Sequence, residues 1–450
     1  MARDKKKETL TPEERLQAAL VPESEQPYKV PANWCWVSLQ TIDQYQASSI
    51  DPSKYPDTLF ELYSVPSSAD NYPEIVLGCE IGSTKQSVQK GDVLLCKINP
   101  RINRVWKVSQ YTESALLASS EWIIIRNSKI VSDYLMHCFR APYFREYMLS
   151  NVSGVGGSLM RAQPKYVKTY PVPVPPLPEQ QRIVDRIESL FAKLDEAKQK
   201  AQDALDSFET RKAAILHKAF TGELTAQWRK EHGVGMESWE TKKYSEICNI
   251  VRGGSPRPAG SPEFYGGNIP FMKVADITRN TGPYVNSTEY TIKEAGLKKT
   301  RMVDRNTLLL TNSGATLGVP VICTFKTTFN DGIAAFLGLN PDTLLFHYYF
   351  WTSKTAALRA INKGAAQPNL NTDIIGNVEI SLPRENEQCE IVRLLDNLLA
   401  KEQQAKESAE GVLEQIDLIK KAILARAFRG ELGTNDPSEE SAVELLKVIV

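Results

Sequence analysis

Residues 179–224 read EQQRIVDRIESLFAKLDEAKQKAQDALDSFETRKAAILHKAFTGEL, and residues 387–432 read EQCEIVRLLDNLLAKEQQAKESAEGVLEQIDLIKKAILARAFRGEL. The two segments align without a gap at a constant offset of 208, and 20 of their 46 positions are identical. Internal repetition of this length indicates that the chain consists of two copies of one structural unit.

Both segments have the periodicity of an amphipathic helix. In the first copy, apolar residues recur three or four apart, for example at Ile183, Ile187 and Leu190, which places them on one helix face. The proline-rich run 171–178 cannot lie inside a helix, so the first helix is predicted to begin near Glu179. Gly222 and Gly430 suit the position just after each helix end.

The apolar stripe of each helix could simply face the core of a neighbouring domain, which is the ordinary explanation for any one apolar residue. The presence of two matching stripes favours a different arrangement, in which two rods of roughly 60 Å pack against each other. We therefore predict an α+β fold of two globular domains separated by two long antiparallel coiled-coil helices, with an internal pseudo-two-fold repeat.

The segments before the two helices have mixed α and β character and similar landmarks. These are an early tryptophan, an apolar strand-like run and a later amphipathic stretch, at Trp34, 92–96 and 134–149 in the first segment and at Trp239, 306–310 and 344–361 in the second. The side chains around these landmarks differ between the copies. A shared frame with different side chains is what we expect of two domains that bind different ligands.

The predicted domain layout follows from these features. It comprises an N-terminal arm (1–27), a first domain (28–178), a first helix with linker (179–236), a second domain (237–386), a second helix (387–433) and a C-terminal tail (434–450). The arm and the tail are expected either to bind a partner or to be frayed.

Length and composition describe a soluble multidomain protein. The 450 residues are 42% hydrophobic and 24% charged, and no run approaches the ~18 apolar residues of a membrane span. Seven scattered cysteines without a CxxC pair, and only four histidines, predict reduced thiols in the cytoplasm and no zinc site.

Positive charge is concentrated in the two predicted domains, although the formal net charge of the chain is zero. Residues 28–170 hold 15 Lys and Arg against 12 Asp and Glu, and residues 240–380 hold 15 against 11. This distribution is compatible with binding to nucleic acid, but the excess is too small to decide the question alone.

Polar and basic residues on loops beside predicted strands are candidates for DNA contact. In the first domain they are Lys97, Asn99, Arg101 and Arg104, followed by Arg161 after a glycine-rich turn at 154–157. In the second domain they are Arg252, Ser255, Arg257, Lys273, Arg279, Asn312 and Ser313. Arginine can pair with guanine and asparagine with adenine, whereas lysine and serine often hold phosphates. For each residue the alternative is an ordinary solvated loop.

Sequence motifs of an enzyme are missing, so a self-contained enzyme is not favoured. The segment Gly314–Gly318 lacks the lysine of a phosphate-binding loop, and the Asn-Pro pairs at 99–100 and 340–341 lack the motif of an adenine methyltransferase. The chain is therefore predicted to be non-catalytic.

The sequence resembles the specificity subunit of Type I restriction–modification systems. The resemblance covers nearly the whole chain and is strongest in VPVPPLPEQQRIV (172–184), in AILHKAFTGELTAQWR (214–229) and AILARAFRGEL (422–432), and in PYKVPANWCWVSL (27–39). The second lead-in, ISLPRENE (380–387), lacks the proline run of the first and departs from the pattern.

The resemblance implies that each domain is a target-recognition domain that reads one half of a split DNA sequence. It also implies that two methyltransferase subunits dock on the helices, at positions such as Phe220, Leu224, Phe428 and Leu432, and that motor–nuclease subunits join them. S-adenosylmethionine, ATP and magnesium would then belong to those partners, and the chain itself would need no cofactor. The alternative function is a coiled-coil adaptor that joins proteins without touching DNA.

Overall fold

The computed structural model describes residues 11–154, 160–314, 316–361 and 370–450. The chain forms two compact units, of which unit 1 contains Met1–Ala201 and Gly411–Val450 and unit 2 contains Gln202–Glu410. The two repeated helices each contribute residues to both units. Most of the predicted glycine turn, from residue 155 to 157, lies outside the described residues.

Unit 1 holds the first α+β domain. Its elements are α1 (Pro12–Ala19), β1 (Cys35–Ser38), α2 (Leu39–Ile42), β2 (Ser49–Ile50), β3 (Leu59–Tyr63), β4 (Glu74–Leu77), β5 (Lys85–Ser87), β6 (Val93–Cys96), β7 (Val105–Lys107), β8 (Ala115–Ala118), β9 (Trp122–Ile125), α3 (Ser132–Arg140), α4 (Pro142–Ser150), β10 (Val152–Ser153), β11 (Arg161–Ala162), α5 (Pro164–Val167), β12 (Pro171–Val174) and α6 (Leu177–Asp206). The strands form a sheet of order β2-β5-β8-β3-β4, a second of order β7-β6-β9, and the ribbons β1-β12 and β10-β11.

Unit 2 holds the second α+β domain. Its elements are α7 (Phe208–Phe220), α8 (Ala226–Glu231), β13 (Glu240–Lys243), α9 (Tyr244–Ile247), β14 (Asn249–Arg252), β15 (Tyr265–Met272), α10 (Val274–Thr278), β16 (Tyr284–Val285), β17 (Tyr290–Ile292), α11 (Glu294–Leu297), β18 (Arg301–Val303), β19 (Thr307–Thr311), β20 (Pro320–Cys323), β21 (Thr327–Phe329), β22 (Ile333–Leu337), α12 (Leu344–Ile361), α13 (Thr372–Gly376), β23 (Glu379–Leu382) and α14 (Glu385–Ala427). The sheets have the orders β14-β22-β19-β20-β16 and β17-β15-β21-β18, beside the ribbon β13-β23.

An antiparallel ribbon closes each domain and leads into its long helix. The ribbon β1-β12 aligns Cys35 with Val174, and β13-β23 aligns Glu240 with Leu382. The second strand of each ribbon is followed within a few residues by the start of α6 or α14. The two ribbons therefore set where the helices begin.

The apolar stripes of the long helices pack antiparallel in unit 1. Ile183 and Ile187 near the start of α6 share a buried core with Leu424 and Phe428 near the end of α14. Further along, Lys420 forms an ion pair with Asp195, with Nζ and Oδ1 2.5 Å apart. Residue numbers rise along one helix as they fall along the other, as an antiparallel pair requires.

The same pairing occurs in unit 2 with other residues. The Lys406 ammonium lies 5.0 Å from the centre of the Phe208 ring, and Arg211 Nε lies 2.7 Å from Glu402 Oε2. Leu216 shares a buried core with Leu395. The predicted antiparallel helix packing is thus confirmed within each unit.

One detail of the first helix differs from the prediction of a single unbroken rod. Helix α6 ends at Asp206 and α7 begins at Phe208, with Ser207 between them. The Ser207 hydroxyl donates a hydrogen bond of 2.8 Å to the carbonyl of Asp203. Back-bonding of this kind competes with the backbone ladder and accounts for the local irregularity.

Both predicted glycine caps have left-handed backbone conformations. Gly222 has a φ of +83° and Gly430 a φ of +74°. A Cβ atom at Gly430 would lie 2.4 Å from the Pro31 side chain, so a larger residue is excluded by packing as well as by conformation.

A buried carboxylate lies at the start of each long helix. In unit 1, Glu179 accepts hydrogen bonds from the Trp34 indole (2.7 Å) and the Asn435 amide (2.8 Å). In unit 2, Glu387 accepts from the Trp239 indole (3.0 Å) and from Arg229 Nη1 (2.6 Å). Each carboxylate joins the residue before the first strand of its domain to the segment that follows the opposite long helix. That segment is a loop in unit 1 and helix α8 in unit 2.

The arm and the tail are both helical and packed. Helices α1 and α15 (Ala442–Ile449) bury Ala19 and Leu446 in the core of unit 1. Arg15 Nη1 also donates a hydrogen bond of 3.3 Å to the carbonyl of Val450. Of the two expectations for these segments, fraying is wrong for residues 12–19 and 442–449.

We predict that Glu387→Gln destabilises unit 2 by about 3–5 kcal/mol, because it leaves the buried Arg229 guanidinium without a counter-charge. The side chains of this pair are only 8% and 2% exposed. Urea unfolding of the full chain measures the loss. The control is Glu390→Gln on the same helix, whose partner Arg393 is 64% exposed, so the change should be far smaller. Equal losses in the two variants would contradict the prediction.

Candidate nucleic-acid interface

In the first domain, the residue that follows the central strand β6 forms backbone hydrogen bonds with two neighbouring segments. After β6, the Lys97 amide donates to the carbonyl of Glu121 (3.0 Å), and the Lys97 carbonyl accepts from the amide of Ala162 (2.8 Å). The first predicted DNA-contacting residue is therefore fixed to two neighbouring segments through its backbone.

The central strand of the second domain ends in the same way. After β19, the Asn312 amide donates to the carbonyl of Gly332 (2.9 Å), and the Asn312 carbonyl accepts from the amide of Leu370 (2.7 Å). Lys97 and Asn312 thus occupy matching positions on one backbone frame.

The loop after β6 is shaped by two asparagines. Asn99 and Asn103 have φ values of +48° and +53°, a left-handed conformation that asparagine tolerates better than most residues. A turn of 3-10 helix over Pro100–Ile102 lies between them, and it leaves Arg101 exposed at its surface. Arg104 follows and is half-buried.

Arg161 lies beside this loop and has an acidic partner. It pairs across the chain with Ile98 in a β-bridge, and its Nε and Nη2 atoms each lie 3.2 Å from a carboxylate oxygen of Glu121. These hydrogen bonds to Glu121 raise the pKa of the Arg161 guanidinium. The structure therefore brings Lys97, Asn99 and Arg161 together, with an acid that sequence reasoning did not identify.

Three predicted residues of the second domain also meet at an acid. Ser255 Oγ donates to Asp331 Oδ1 (2.6 Å), Arg257 Nη2 lies 3.9 Å from Asp331 Oδ2, and Arg252 Nε donates to the Asp331 carbonyl (2.7 Å). Asp331 belongs to the segment Asn330-Asp-Gly332, whose composition is typical of a turn. That signal could have located the turn, but not the residues it contacts.

Lys273 and Arg279 lie at either end of the short helix α10. The Lys273 ammonium is 3.2 Å from the centre of the Tyr290 ring, a cation–π contact. Arg279 Nη1 is 3.0 Å from Glu289 Oε2, and its side chain is 74% exposed. Both residues have local partners, but only Arg279 is largely open to solvent.

The position of Asn312 argues against its predicted contact with DNA. Its residue is 1% exposed, and neither polar atom of its side chain has a hydrogen-bond partner among the described residues. A covered side chain does not reach a DNA base in this conformation. Its neighbour Ser313 is half-buried.

The predicted partner-binding residues at the helix ends face inward. Phe428 is completely buried and packs edge-on against Tyr134, with ring centres 5.3 Å apart. Phe220 packs on Phe350 at 5.4 Å. Leu224 and Leu432 are half-buried against the same two cores. The assignment of Phe428 to partner binding is wrong, because its side chain stabilises the fold of unit 1.

The described ranges contain neither a metal centre nor a membrane-spanning helix. No group of three or more His, Cys, Asp or Glu side chains within them is arranged to hold a metal ion. Each helix in these ranges is too short or too polar to cross a bilayer. The loops present hydrogen-bond donors at the ends of paired strands.

Comparison with known proteins gives consistent matches to one family. The model of the Type I restriction modification DNA specificity domain matches residues 79–205 and 236–411. The chain is similar to the Type I restriction enzyme EcoDI specificity subunit of Escherichia coli, with 31% identity over 207 residues. That alignment spans 45% of each chain, which is less than half of the relative.

Two further similarities cover more of the chain. The EcoKI specificity subunit of Escherichia coli K12 is 22% identical over 327 residues, which is 69% of this chain and 68% of that protein. The crystal structure of the HsdS subunit from Thermoanaerobacter tengcongensis covers 91% of this chain and 100% of that chain, with a TM-score of 0.66 and 24% identity. At this identity the structural likeness shows the fold.

Proposed function

Because the chain belongs to the Type I restriction modification DNA specificity family, we propose that each of its two α+β domains recognises one half of a split DNA sequence. The observation that supports this most is the shared backbone frame at Lys97 and Asn312, which carries different loops in the two domains. One frame with two sets of side chains suits two different half-sequences.

The exposed donors on these loops suit the two kinds of DNA contact. Arg101 in the first domain and Arg257 in the second are exposed, and a guanidinium can form two hydrogen bonds to guanine in the major groove. Lys97 and Arg252 lie at the ends of β6 and β14, where they could hold phosphates and orient each domain.

We further propose that the chain contributes no catalytic group and works with methyltransferase and motor–nuclease subunits. Its relatives are named as specificity subunits of restriction enzymes. S-adenosylmethionine, ATP and magnesium would be bound by those partners.

The partner surface on the paired helices must use exposed residues instead of the buried Phe428. In the part of α14 that belongs to unit 1, Leu418 is 63% exposed and Ile419 42% exposed. Large apolar side chains left open on a helix are suited to packing against another subunit. We assign methyltransferase docking to this face.

A protein-joining adaptor without DNA binding remains the rival function, and salt dependence separates the two. We expect the full chain, together with its modification subunits, to bind duplex DNA with an affinity that falls as salt rises. The slope of log affinity against log salt should be about 0.9 per neutralised phosphate. Filter binding over a range of potassium chloride concentrations measures it. A flat response, or no binding, would support the adaptor.

Single substitutions should affect the two half-sites separately. We predict that Arg257→Ala relaxes recognition of one half by about 1–3 kcal/mol per lost guanine contact, and that Arg101→Ala relaxes the other. Sequencing of methylated bases in a host that carries each variant provides the readout. The control is Arg305→Ala, because Arg305 is exposed at the opposite end of β19 from Asn312. If one variant lost recognition of both half-sites, the assignment of one half-site to each domain would be wrong.

The paired helices are proposed to set the unread spacer between the half-sites. We predict that inserting two helical turns, about seven residues or about 10 Å, after both Ala201 and Glu410 lengthens the spacer by about three base pairs. Both half-sequences should stay the same, because their domains are untouched. Insertion in one helix alone is the control and should impair assembly through mismatched pairing. A double insertion that leaves the spacer unchanged would disprove the role of the helices.

A further inference from the structure

Asp331 is the meeting point of the basic loop in the second domain. Its carboxylate accepts a hydrogen bond of 2.6 Å from Ser255 and lies 3.9 Å from the Arg257 guanidinium. Its backbone carbonyl accepts a hydrogen bond of 2.7 Å from Arg252. Two residues of one loop and the last residue of the strand before it are therefore in contact with a single residue more than seventy positions away in the chain.

The turn that carries Asp331 is itself firmly held. The Asn330 amide donates to the carbonyl of Met272 at the end of β15 (3.0 Å), and the Gly332 carbonyl accepts from Asn312 at the end of β19 (2.9 Å). A Cβ atom at Gly332 would lie 2.9 Å from the hydroxyl of Ser313. Asp331 is thus a fixed point between two strand ends, against which a loop can be aligned.

Neither fold stability nor DNA affinity explains an acid at this place. The Arg257 and Asp331 side chains are 74% and 44% exposed, and exposed ion pairs contribute little to stability. A carboxylate beside a phosphate backbone repels it and lowers affinity. What the acid does supply is alignment of the loop. Its carboxylate accepts the 2.6 Å hydrogen bond from Ser255, two residues before Arg257, and its charge favours positions of the Arg257 guanidinium on its own side.

The first domain contains the corresponding arrangement. Glu121 directly precedes β9, which pairs with the central strand β6, and it holds Arg161 through two hydrogen bonds of 3.2 Å. Asp331 lies two residues before β22, which pairs with the central strand β19. The two domains have different loops, yet each places an acid beside the same backbone junction. Glu121 is the residue whose carbonyl binds the end of the central strand, and Asp331 lies one residue before its counterpart Gly332. Each acid is in contact with a basic residue.

We propose that Asp331 is a positioning residue that determines the specificity of the second domain. It orients Arg257 and Ser255 for contact with bases, and its charge keeps the loop from binding phosphates of any sequence. The inference rests on the proposed function, and it assigns the matching role in the first domain to Glu121.

The test compares Asp331→Asn with Asp304→Asn in the full chain assembled with its modification subunits. Asp304 is also exposed in unit 2 and lies 3.9 Å from a basic group, Lys326, so the control removes the same charge from a similar pair. Affinities are measured for a duplex with the site mapped by methylation sequencing, and for duplexes with either half scrambled.

Asp331→Asn should reduce discrimination against the scrambled second half by about tenfold or more, the effect of losing one base-pair contact. Binding to the scrambled duplex should become tighter, and discrimination at the first half should stay the same. Asp304→Asn should leave both ratios unchanged, and Asp331→Glu should restore part of the lost discrimination because the carboxylate returns.

Two results would overturn the proposal. In the first, Asp331→Asn distinguishes the mapped duplex from the scrambled duplexes as well as the unaltered chain does. In the second, Asp331→Asn loses the same factor of affinity for all duplexes, which a merely structural role would produce. In either case the unaltered chain would still distinguish the duplexes, so the proposed function would stand. If the unaltered chain fails to distinguish them, the proposed function itself is wrong.

Discussion

The structure depends on two buried carboxylates that must each keep their hydrogen-bond donors. Glu179 and Glu387 are almost inaccessible to solvent, and a buried charge without partners costs several kcal/mol. Each accepts hydrogen bonds from a tryptophan at the start of its domain and from a residue in the segment after the other long helix, Asn435 or Arg229. The requirement ties together three segments that are far apart in sequence. It fixes where the ribbon ends, where the long helix begins and where the segment after the antiparallel helix packs.

This anchoring allows the two copies to differ elsewhere. The ribbons, the central strands and the backbone hydrogen bonds at Lys97 and Asn312 repeat closely between the domains. The loops built on them do not repeat, and they carry the exposed arginines. Under the proposed function, stability and recognition would depend on different residues, so that a loop could change its side chains while the buried carboxylates hold the frame.

Much of the frame could be predicted from the sequence, because its signals are local and periodic. The stretch predicted at 344–361 is one helix, α12. The apolar run at 92–96 contains β6, and the run at 306–310 overlaps β19, which ends one residue later. The contacts of the loops could not be predicted in this way. Asp331 and Ser255 are brought together only by the tertiary fold, and the burial of Asn312 and Phe428 depends on neighbours that no periodicity reveals. The break at Ser207 escaped because serine is compatible with either a helix or a turn.

The pairing of acids with candidate DNA-contacting residues also changes how the charge of the chain should be interpreted. A large positive excess raises affinity for every phosphate backbone alike, so it adds binding without adding discrimination. In both domains part of the basic charge is offset by an acid in direct contact with it, Glu121 beside Arg161 and Asp331 beside Arg257. A small net charge is therefore compatible with the proposed recognition of a particular sequence, because discrimination depends on which donors face the bases and not on the total positive charge. For such a protein, orientation of a few donors matters more than their number.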